Sequence, residues 1–585
     1  MGPSSEQSSM DRKRKAAATS AMPGVATGPG AFARRLAGED GLGQTCLPPL
    51  APTRQAGGGG CRQVARPVRT EPLPPGLARQ MLPDFVARAA ASVPLRAWEA
   101  LGRNLGGQAS APVRITFGTA CSGSEFYLTA LPLLAAEMSQ RLGRDVRFEH
   151  RWSCELDPAK RQWIMDNFAP PKLFGDITRL AEGRCHDFVS GALVEVEEVR
   201  LLIAGTSCKD ASRLNNQHGR RLNVVDAGAH STGETFCGLV RLLASAGTRC
   251  RLVCLENVPS LRDRDPQTGR SNFDGVADAV RSLGFSFVSA VFSAEHLGLP
   301  VSRPRLYMSG VRGARESAAQ KMADDVLTAI RAGAADVPMD SLLLPETEPH
   351  LMMRDWMPEG LARSREQPCD VAEGVWQQQH RTSWRGIPPA VRALIAPRFA
   401  ANPWFRILSP RQRDFLLLAS CHHHMARRAT VAIPLHVSLG WETPSHPARL
   451  PTLVPRGVYW LVSRQRPLLG VEAIRLQGCD PSSLPGLRPE MHTSAFLHDL
   501  AGNAFCVYQF CVWLLASLVA GEIGDPGRDG ERAGSELKAP GRQARAFYVW
   551  MVQLMYGTTY VSRTYLPMPR LGPRLRLVGG LGRPA

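Results

Sequence analysis

Two short apolar runs in this sequence each end in a group capable of covalent chemistry. Val199-Arg200-Leu201-Leu202-Ile203 leads into Ala204-Gly205-Thr206-Ser207-Cys208-Lys209-Asp210-Ala211-Ser212, and Leu252-Val253-Cys254-Leu255 leads into Glu256-Asn257-Val258-Pro259. Both runs read as strands, and an open α/β sheet binds its ligands at the carboxyl ends of its strands. A thiol there supplies a nucleophile, and a carboxyl group activates an electrophile by giving or sharing a proton. A free cysteine alone says little, because it is among the most often buried residue types. The pairing of Cys208 with Glu256 carries the inference.

The elements that must position this pair are legible around it. From residue 113 onward, β-branched runs alternate with helical stretches: Val113–Phe117, Phe148–Trp152, Leu201–Ala204, Leu252–Leu255 and Phe287–Phe292, with Arg305–Val311 a further strand candidate. The alternation predicts an α/β fold with a doubly wound sheet. The first strand runs into Gly118-Thr119-Ala120-Cys121-Ser122-Gly123-Ser124-Glu125-Phe126, a small-residue turn that lets a cofactor approach backbone N–H groups. Glu155, after the second strand, suits ribose hydroxyls, and Asp176, in the next unit, an adenine amino group. Turn, acid and acid in this order indicate an adenosine-bearing cofactor. Met81, Phe85, Val86, Ala89 and Leu95 predict a helical face upstream, and Ala504 to Leu518 predicts a helix near the end.

Composition divides the chain into residues 1–80, a basic tail rich in Gly, Pro and Ser and expected to be disordered; 81–314, the first part of the α/β domain; 315–465, an irregular second domain rich in Pro, Arg and Trp; 466–522, which closes the first domain; and 523–585, a mostly disordered tail with an apolar island at Phe547–Tyr556. A net charge of +18 favours a polyanionic partner, nucleic acid first. The 14 cysteines follow no regular framework and read as reduced thiols of an intracellular protein. No apolar run reaches the roughly 18 to 20 residues of a spanning helix; Phe505–Ala520 comes nearest and reads as a core helix, so no membrane is expected. Arg12-Lys13-Arg14-Lys15 is a cluster of nuclear-import type, which points to the nucleus, with an organelle or the cytoplasm as alternatives. Cys421-His422-His423-His424 has no second pair at finger spacing, so no metal site is expected. Trp356, Trp376, Trp384 and Trp404 are read as core rather than as base-stacking platforms.

The ordered set of motifs resembles the DNA cytosine-C5 methyltransferase family over roughly residues 110 to 520. Cys154-Glu155-Leu156-Asp157-Pro158, Asn167-Phe168 and Gly175-Asp176-Ile177 resemble its cofactor segment. Cys208 stands at its catalytic cysteine, Glu256-Asn257-Val258 at its glutamate motif, and Leu299-Pro300-Val301-Ser302-Arg303-Pro304-Arg305 at its paired-arginine motif. Arg475-Leu476-Gln477-Gly478 and Gly502-Asn503-Ala504 resemble its two C-terminal motifs.

The resemblance implies a Rossmann-like fold that uses S-adenosyl-L-methionine, with 315–465 as a smaller target-recognition domain. It implies that Cys208 attacks C6 of a cytosine flipped out of duplex DNA. Glu256 would bind N3 and the exocyclic amine, while Arg303 and Arg305 would hold O2 and a nearby phosphate. Ser122 and Gly123 would lie at the methionine end of the cofactor, Glu155 at its ribose and Asp176 at its adenine. Asn503, expected to begin the last helix, would close the pocket. This chain departs from the pattern at Ser207, Lys209 and Val301, and at Cys121 and Glu125 in the cofactor turn. Lys209 is expected to add a positive field that lowers the Cys208 pKa. RNA as the substrate of the same chemistry, and an inactive nucleic-acid-binding relative, are the alternatives. A small-molecule substrate would not need so large a basic second domain.

Overall fold

The computed structural model of the protein describes residues 77–106, 112–121, 123–213, 230–246, 249–346, 375–437, 447–488 and 491–521. All of them lie in one compact unit, Thr70–Ala585. The basic cluster at 12–15, residues 1–76 of the first tail, Ser122, Trp356 and the island at Phe547–Tyr556 fall outside the described residues.

Seven strands make the main sheet: β1 (Val113–Ala120), β2 (Val146–Cys154), β3 (Leu173–Phe174), β4 (Leu201–Ala204), β5 (Leu252–Asn257), β6 (Ser286–Ser293) and β7 (Pro304–Val311). Their order is β3-β2-β1-β4-β5-β7-β6. β1 pairs in parallel with both β2 and β4, so the order reverses there and opens a crevice at the carboxyl ends. β7 is the exception to a parallel reading, since it pairs antiparallel with both β5 and β6. Only residues 294–303 join β6 to β7, and a parallel crossover needs about a dozen or more residues.

Alternation along the strands feeds two cores. Leu201, Ile203, Leu252 and Cys254 face one core, and Leu202, Ala204, Val253 and Leu255 the other. The first face carries α1 (Leu77–Ser92), α2 (Leu95–Asn104), α3 (Leu131–Leu142) and α4 (Pro158–Phe168); the second carries α5 (His230–Ser245) and α6 (Asn272–Ser282). Asp157 caps α4 by accepting from the N–H groups of Ala159 and Lys160, with Pro158 at its first turn. Leu95 leaves the predicted upstream face: α1 ends before Pro94, and Leu95 begins α2 at 74% exposure. The Rossmann-like α/β fold is therefore present, with an antiparallel strand inserted.

The first domain runs past 314. α7 (Glu316–Ala332) buries Ala319, Ala323, Val326, Leu327 and Ile330 in the first core, an apolar stripe at helical spacing. Residues 387–460 build a separate small core from Ile387, Ile395, Phe399, Leu408, Phe415, Leu416 and Trp460. There Asp414 of α9 (Pro410–Met425) accepts from Trp384 Nε1 at 2.9 Å and contacts His380 Nδ1 at 2.5 Å, which ties α8 (Val375–Arg385) in place. Trp384 and Trp404 pack on this core, and Cys421 is part of it. Among the described residues no group of three His, Cys, Asp or Glu side chains is placed to hold a metal.

The chain then closes with α10 (Ser494–Asn503) and α11 (Val507–Ala520), all 14 residues of α11 being buried. Ser494–Ala520 is long and apolar enough to span a bilayer, but 94% of its most apolar window lies inside the protein.

One carboxylate fastens the exit of the chain from the first domain to its return. Glu472 is fully buried, pairs with Arg466 at 2.6 and 2.9 Å, and accepts from the backbone N–H groups of Leu344 and Leu469. Glu472→Ala leaves the Arg466 charge and two N–H groups unsatisfied, and should cost about 3–5 kcal/mol. A urea titration of wild type and variant reads this as a lower midpoint; an unchanged midpoint contradicts it.

Candidate active site

The loop after β4 is held from several sides. A Cβ on Gly205 would come within 2.8 Å of Phe505 Cε1 and 2.9 Å of the Cys121 carbonyl, so only glycine allows this approach. Asn257 Nδ2 donates to the Thr206 carbonyl at 3.3 Å and to its hydroxyl at 3.2 Å. Asp210 accepts from the Thr232 hydroxyl at 2.7 Å, which locks the loop to the start of α5. Ser260 donates to the Ala211 carbonyl at 2.6 Å, and Arg213 pairs with Asp263 at 2.6 and 2.9 Å. These anchors fix a half-buried Cys208.

Glu256 lies within β5 rather than beyond it. Arg305, at the start of antiparallel β7, reaches the same edge of the sheet and pairs with Glu256 Oε1 at 2.9 Å through Nε. Apart from this ion pair, Oε1 has no hydrogen-bond partner among the described residues. Arg305 Nη1 donates to the Pro304 carbonyl, while Nη2 makes no hydrogen bond among the described residues. A carboxyl group held by one guanidinium nitrogen, and a second guanidinium nitrogen with no hydrogen bond among the described residues, thus stand at one site.

The charges here are strongly coupled. Burial raises the Glu256 carboxyl above the ordinary range, against the pull of Arg305 and Arg303. Burial also raises the Cys208 thiol, Glu256 raises it further, and Arg305 and Arg303 lower it. Lys209 is exposed, and it is not among the leading charges acting on Cys208; the two arginines take the role expected of it.

Arg303 is not placed to hold a base or phosphate. Its guanidinium is buried, at 1% exposure, and donates to the carbonyls of Leu453 at 2.9 Å, Gly502 at 3.2 Å and Ala504 at 2.5 Å. Val301, two residues earlier, is fully buried and bridges to Leu450, so this departure is a core contact.

The second group of residues gathers at the carboxyl ends of β1, β2 and β3. Glu155 Oε2 accepts from Gly123 N at 3.2 Å and Oε1 from Asp157 N at 3.0 Å, which leaves each oxygen a further lone pair. Asp176 Oδ1 caps the next turn through the Thr178 N–H and hydroxyl, both at 2.8 Å, and Oδ2 stays open. Both acids act on Cys121, whose thiol is pushed up to about 12, first by burial and then by their charges. Gly123 has φ +65, and a Cβ there would lie 3.7 Å from the Asn503 carbonyl. Asn503 thus lies against this turn, as the last residue of α10 rather than the first of the final helix. Glu125 takes a left-handed φ of 56° and turns inward, accepting from the Thr119 hydroxyl and, at 3.2 Å, from that of Ser153.

Three contributions were not singled out from the sequence. In the sequence Asn257 stands out only as part of a motif, and the Asp210–Thr232 lock joins residues 22 apart with no local signal. Leu156 is 69% exposed beside Glu155, and a loop leucine carries no pattern that reveals its surroundings.

Since Glu256 raises the thiol pKa, Glu256→Gln should lower the pH midpoint for alkylation of Cys208 by iodoacetamide. Mass spectrometry of the Cys208 peptide across pH checks this; an unchanged or higher midpoint contradicts the coupling.

Residues 135–384 match the family model described as C-5 cytosine-specific DNA methylase. The chain is 28% identical over 414 residues to the DNA (cytosine-5-)-methyltransferase DMT5 of Cryptococcus neoformans var. grubii, covering 67% of this chain and 16% of that protein. It is 23% identical over 466 residues to the DMT5 of Verticillium dahliae, covering 67% of this chain and 19% of that one. The chain therefore spans less than a fifth of the length of either relative. The solved structure of the Entamoeba histolytica methyltransferase EhMeth aligns with 69% of this chain and 98% of its own, at 10% identity and a TM-score of 0.37. The sheet, the crevice and the grouping of Cys208, Glu256 and Arg305 therefore stand in a chain that is similar, over residues 135–384, to the C-5 cytosine-specific DNA methylase family.

Proposed function

We propose that this chain transfers a methyl group from S-adenosyl-L-methionine to C5 of cytosine in DNA, acting in the nucleus. The observation that carries the reading is the buried Glu256 carboxyl, held by Arg305 Nε at 2.9 Å, beside the Cys208 thiol, with Arg305 Nη2 still able to donate. A cytosine would match both: its N3 accepts from the protonated Glu256 carboxyl, its exocyclic amine donates to the same carboxyl, and its O2 accepts from Arg305.

The crevice residues fit the cofactor. Gly123 keeps the turn free of a side chain and its N–H orients Glu155, Glu155 has free lone pairs for ribose hydroxyls, Asp176 Oδ2 is open to an amino group, and exposed Leu156 offers an apolar face to a flat ring. Ser122 is assigned to the methionine end and Asn503 to the far wall on the same reading. When bound, the cofactor supplies an electrophilic methyl group.

Cytosine C5 is a poor nucleophile until sulfur adds at C6. The raised pKa values mean that Cys208 and Glu256 resist carrying negative charge together. A protonated Glu256 relieves that repulsion, so the thiolate forms more easily when the carboxyl holds its proton. Cys208 then adds to C6, and Glu256 stabilises the charge that develops at N3 by hydrogen bonding or proton donation. Arg305 holds O2 and keeps Glu256 in place. After methylation C5 gives its proton to water, the C5–H electrons form the C5=C6 bond as the C6–S bond breaks, and Cys208 leaves as the thiolate while any proton at N3 returns to Glu256.

Residues 375–437, assigned here to target recognition, hold nine arginines against one acid, Asp414. Arg381, Arg385, Arg398, Arg406, Arg427 and Arg428 are exposed, while Asp414 is engaged by His380 and Trp384. This surface suits a phosphate backbone, whose binding helps offset the few kcal/mol of base flipping.

Incubation with duplex DNA and methyl-labelled cofactor, followed by digestion to nucleosides, should give labelled 5-methylcytosine. Cys208→Ser should give none, and Glu256→Gln should lower kcat by about 10² to 10³. Label found only in RNA, or at another base, overturns the reading. Replacing both Arg381 and Arg385 by Gln should make the dependence of log binding constant on log salt shallower by about 0.9 per lost phosphate contact. An unchanged slope removes these residues from the interface.

A further inference from the structure

The geometry points to Arg303 as a positioning residue that couples DNA binding by the second domain to cofactor binding in the crevice. This rests on the functional reading above. One buried guanidinium donates to three carbonyls on two separate segments: Leu453, on the stretch returning from the second domain, and Gly502 and Ala504, at the end of α10 beside the crevice. The arginine is itself fixed to the sheet, because Arg303 N donates to the Ser293 hydroxyl at 2.9 Å and Gln509 Nε2 donates to the Arg303 carbonyl at 3.2 Å.

Each segment leads to a different ligand site. Leu450 pairs with Pro300 and Ser302 through backbone hydrogen bonds of 2.8 Å, and the Thr452 hydroxyl donates to the Ser302 carbonyl at 2.5 Å. The strand that follows returns to the small core through Trp460. On the other side, Asn503 lies against Gly123 of the cofactor turn. The two segments also touch directly: a Cβ on Gly502 would lie 2.2 Å from Pro455 N.

The coupling follows from how costly it is to leave a buried charged donor unpaired. With both segments seated, Nη1 and Nη2 are satisfied together. If either segment withdraws, the guanidinium loses acceptors in a place water does not reach. Seating one segment therefore favours seating the other. DNA that steadies the second domain should raise cofactor affinity, and by linkage the cofactor should raise DNA affinity by the same factor. Lysine keeps the charge but lacks the planar fork that serves three carbonyls. Gly502→Ala leaves Arg303 intact and wedges the segments apart.

The test is calorimetry on the full chain with S-adenosylhomocysteine and a short DNA duplex, each titrated alone and in the presence of the other. Wild type should show the same enhancement, about 5-fold or more, in both orders of addition. Arg303→Lys and Gly502→Ala should each bring the ratio close to 1. A purely structural role would weaken each affinity alone and leave the ratio unchanged, and that result overturns the proposal. So does a wild-type ratio of 1 with both ligands bound. If Arg303→Lys does not fold, the glycine variant decides. Failure of the wild type to bind either ligand alone overturns the functional reading, and the coupling with it.

Discussion

The antiparallel pairing of β7 with β5 is the constraint on which the site depends. A parallel strand at that position would put its first residues at the opposite edge of the sheet. Because β7 runs the other way, Pro304 and Arg305 begin where β5 ends, with Leu306 opposite Asn257. Arg305 thereby reaches Glu256, and Arg303 lies below the segments that close the crevice. The short connection from β6 enforces the reversal, so the placement of two arginines follows from chain length and sheet geometry.

Around that edge, burial sets the chemistry. The same desolvation that raises Glu256 also raises Cys208, and each disfavours charge on the other. The arginines prevent the pair from becoming inert. Removing water from such a site strengthens every remaining interaction, which is why one carboxyl and one guanidinium can have a large effect on a single thiol. The site also needs mechanical support, and it comes from local hydrogen bonds and close packing: Asn257 on the Thr206 backbone, Thr232 on Asp210, and a glycine at 205 that lets Phe505 approach.

Much of this was legible in the sequence where one residue carries one signal. Strand ends marked by Cys208 and Glu256, the Gly-containing turn and the acids after β2 and β3 all gave positions that the fold brings to one edge. Side-chain direction was not legible. Arg303 and Arg305 stand two apart and look equivalent in a motif, yet one is buried on carbonyls and the other pairs with Glu256. Lys209 adjoins the nucleophile in sequence but is exposed. Leu95 fits a helical stripe until Pro94 breaks the helix. The first domain extends through α7, whose regular apolar stripe is masked in the sequence by the irregular composition that follows it. For the two arginines the deciding contacts are distant in sequence: Leu453, Gly502 and Ala504 for Arg303, and Glu256 for Arg305.

The most direct measurement is a covalent trap. The full chain would be incubated with duplex DNA containing 5-fluorocytosine and with S-adenosyl-L-methionine, then denatured and examined for a protein–DNA adduct. Fluorine at C5 cannot leave as a proton does, so after methyl transfer the sulfur stays bonded to C6. The account predicts a denaturation-resistant adduct on the Cys208 peptide that is absent with Cys208→Ala and without cofactor. An adduct on another residue, or methylated product with no adduct at Cys208, would contradict it.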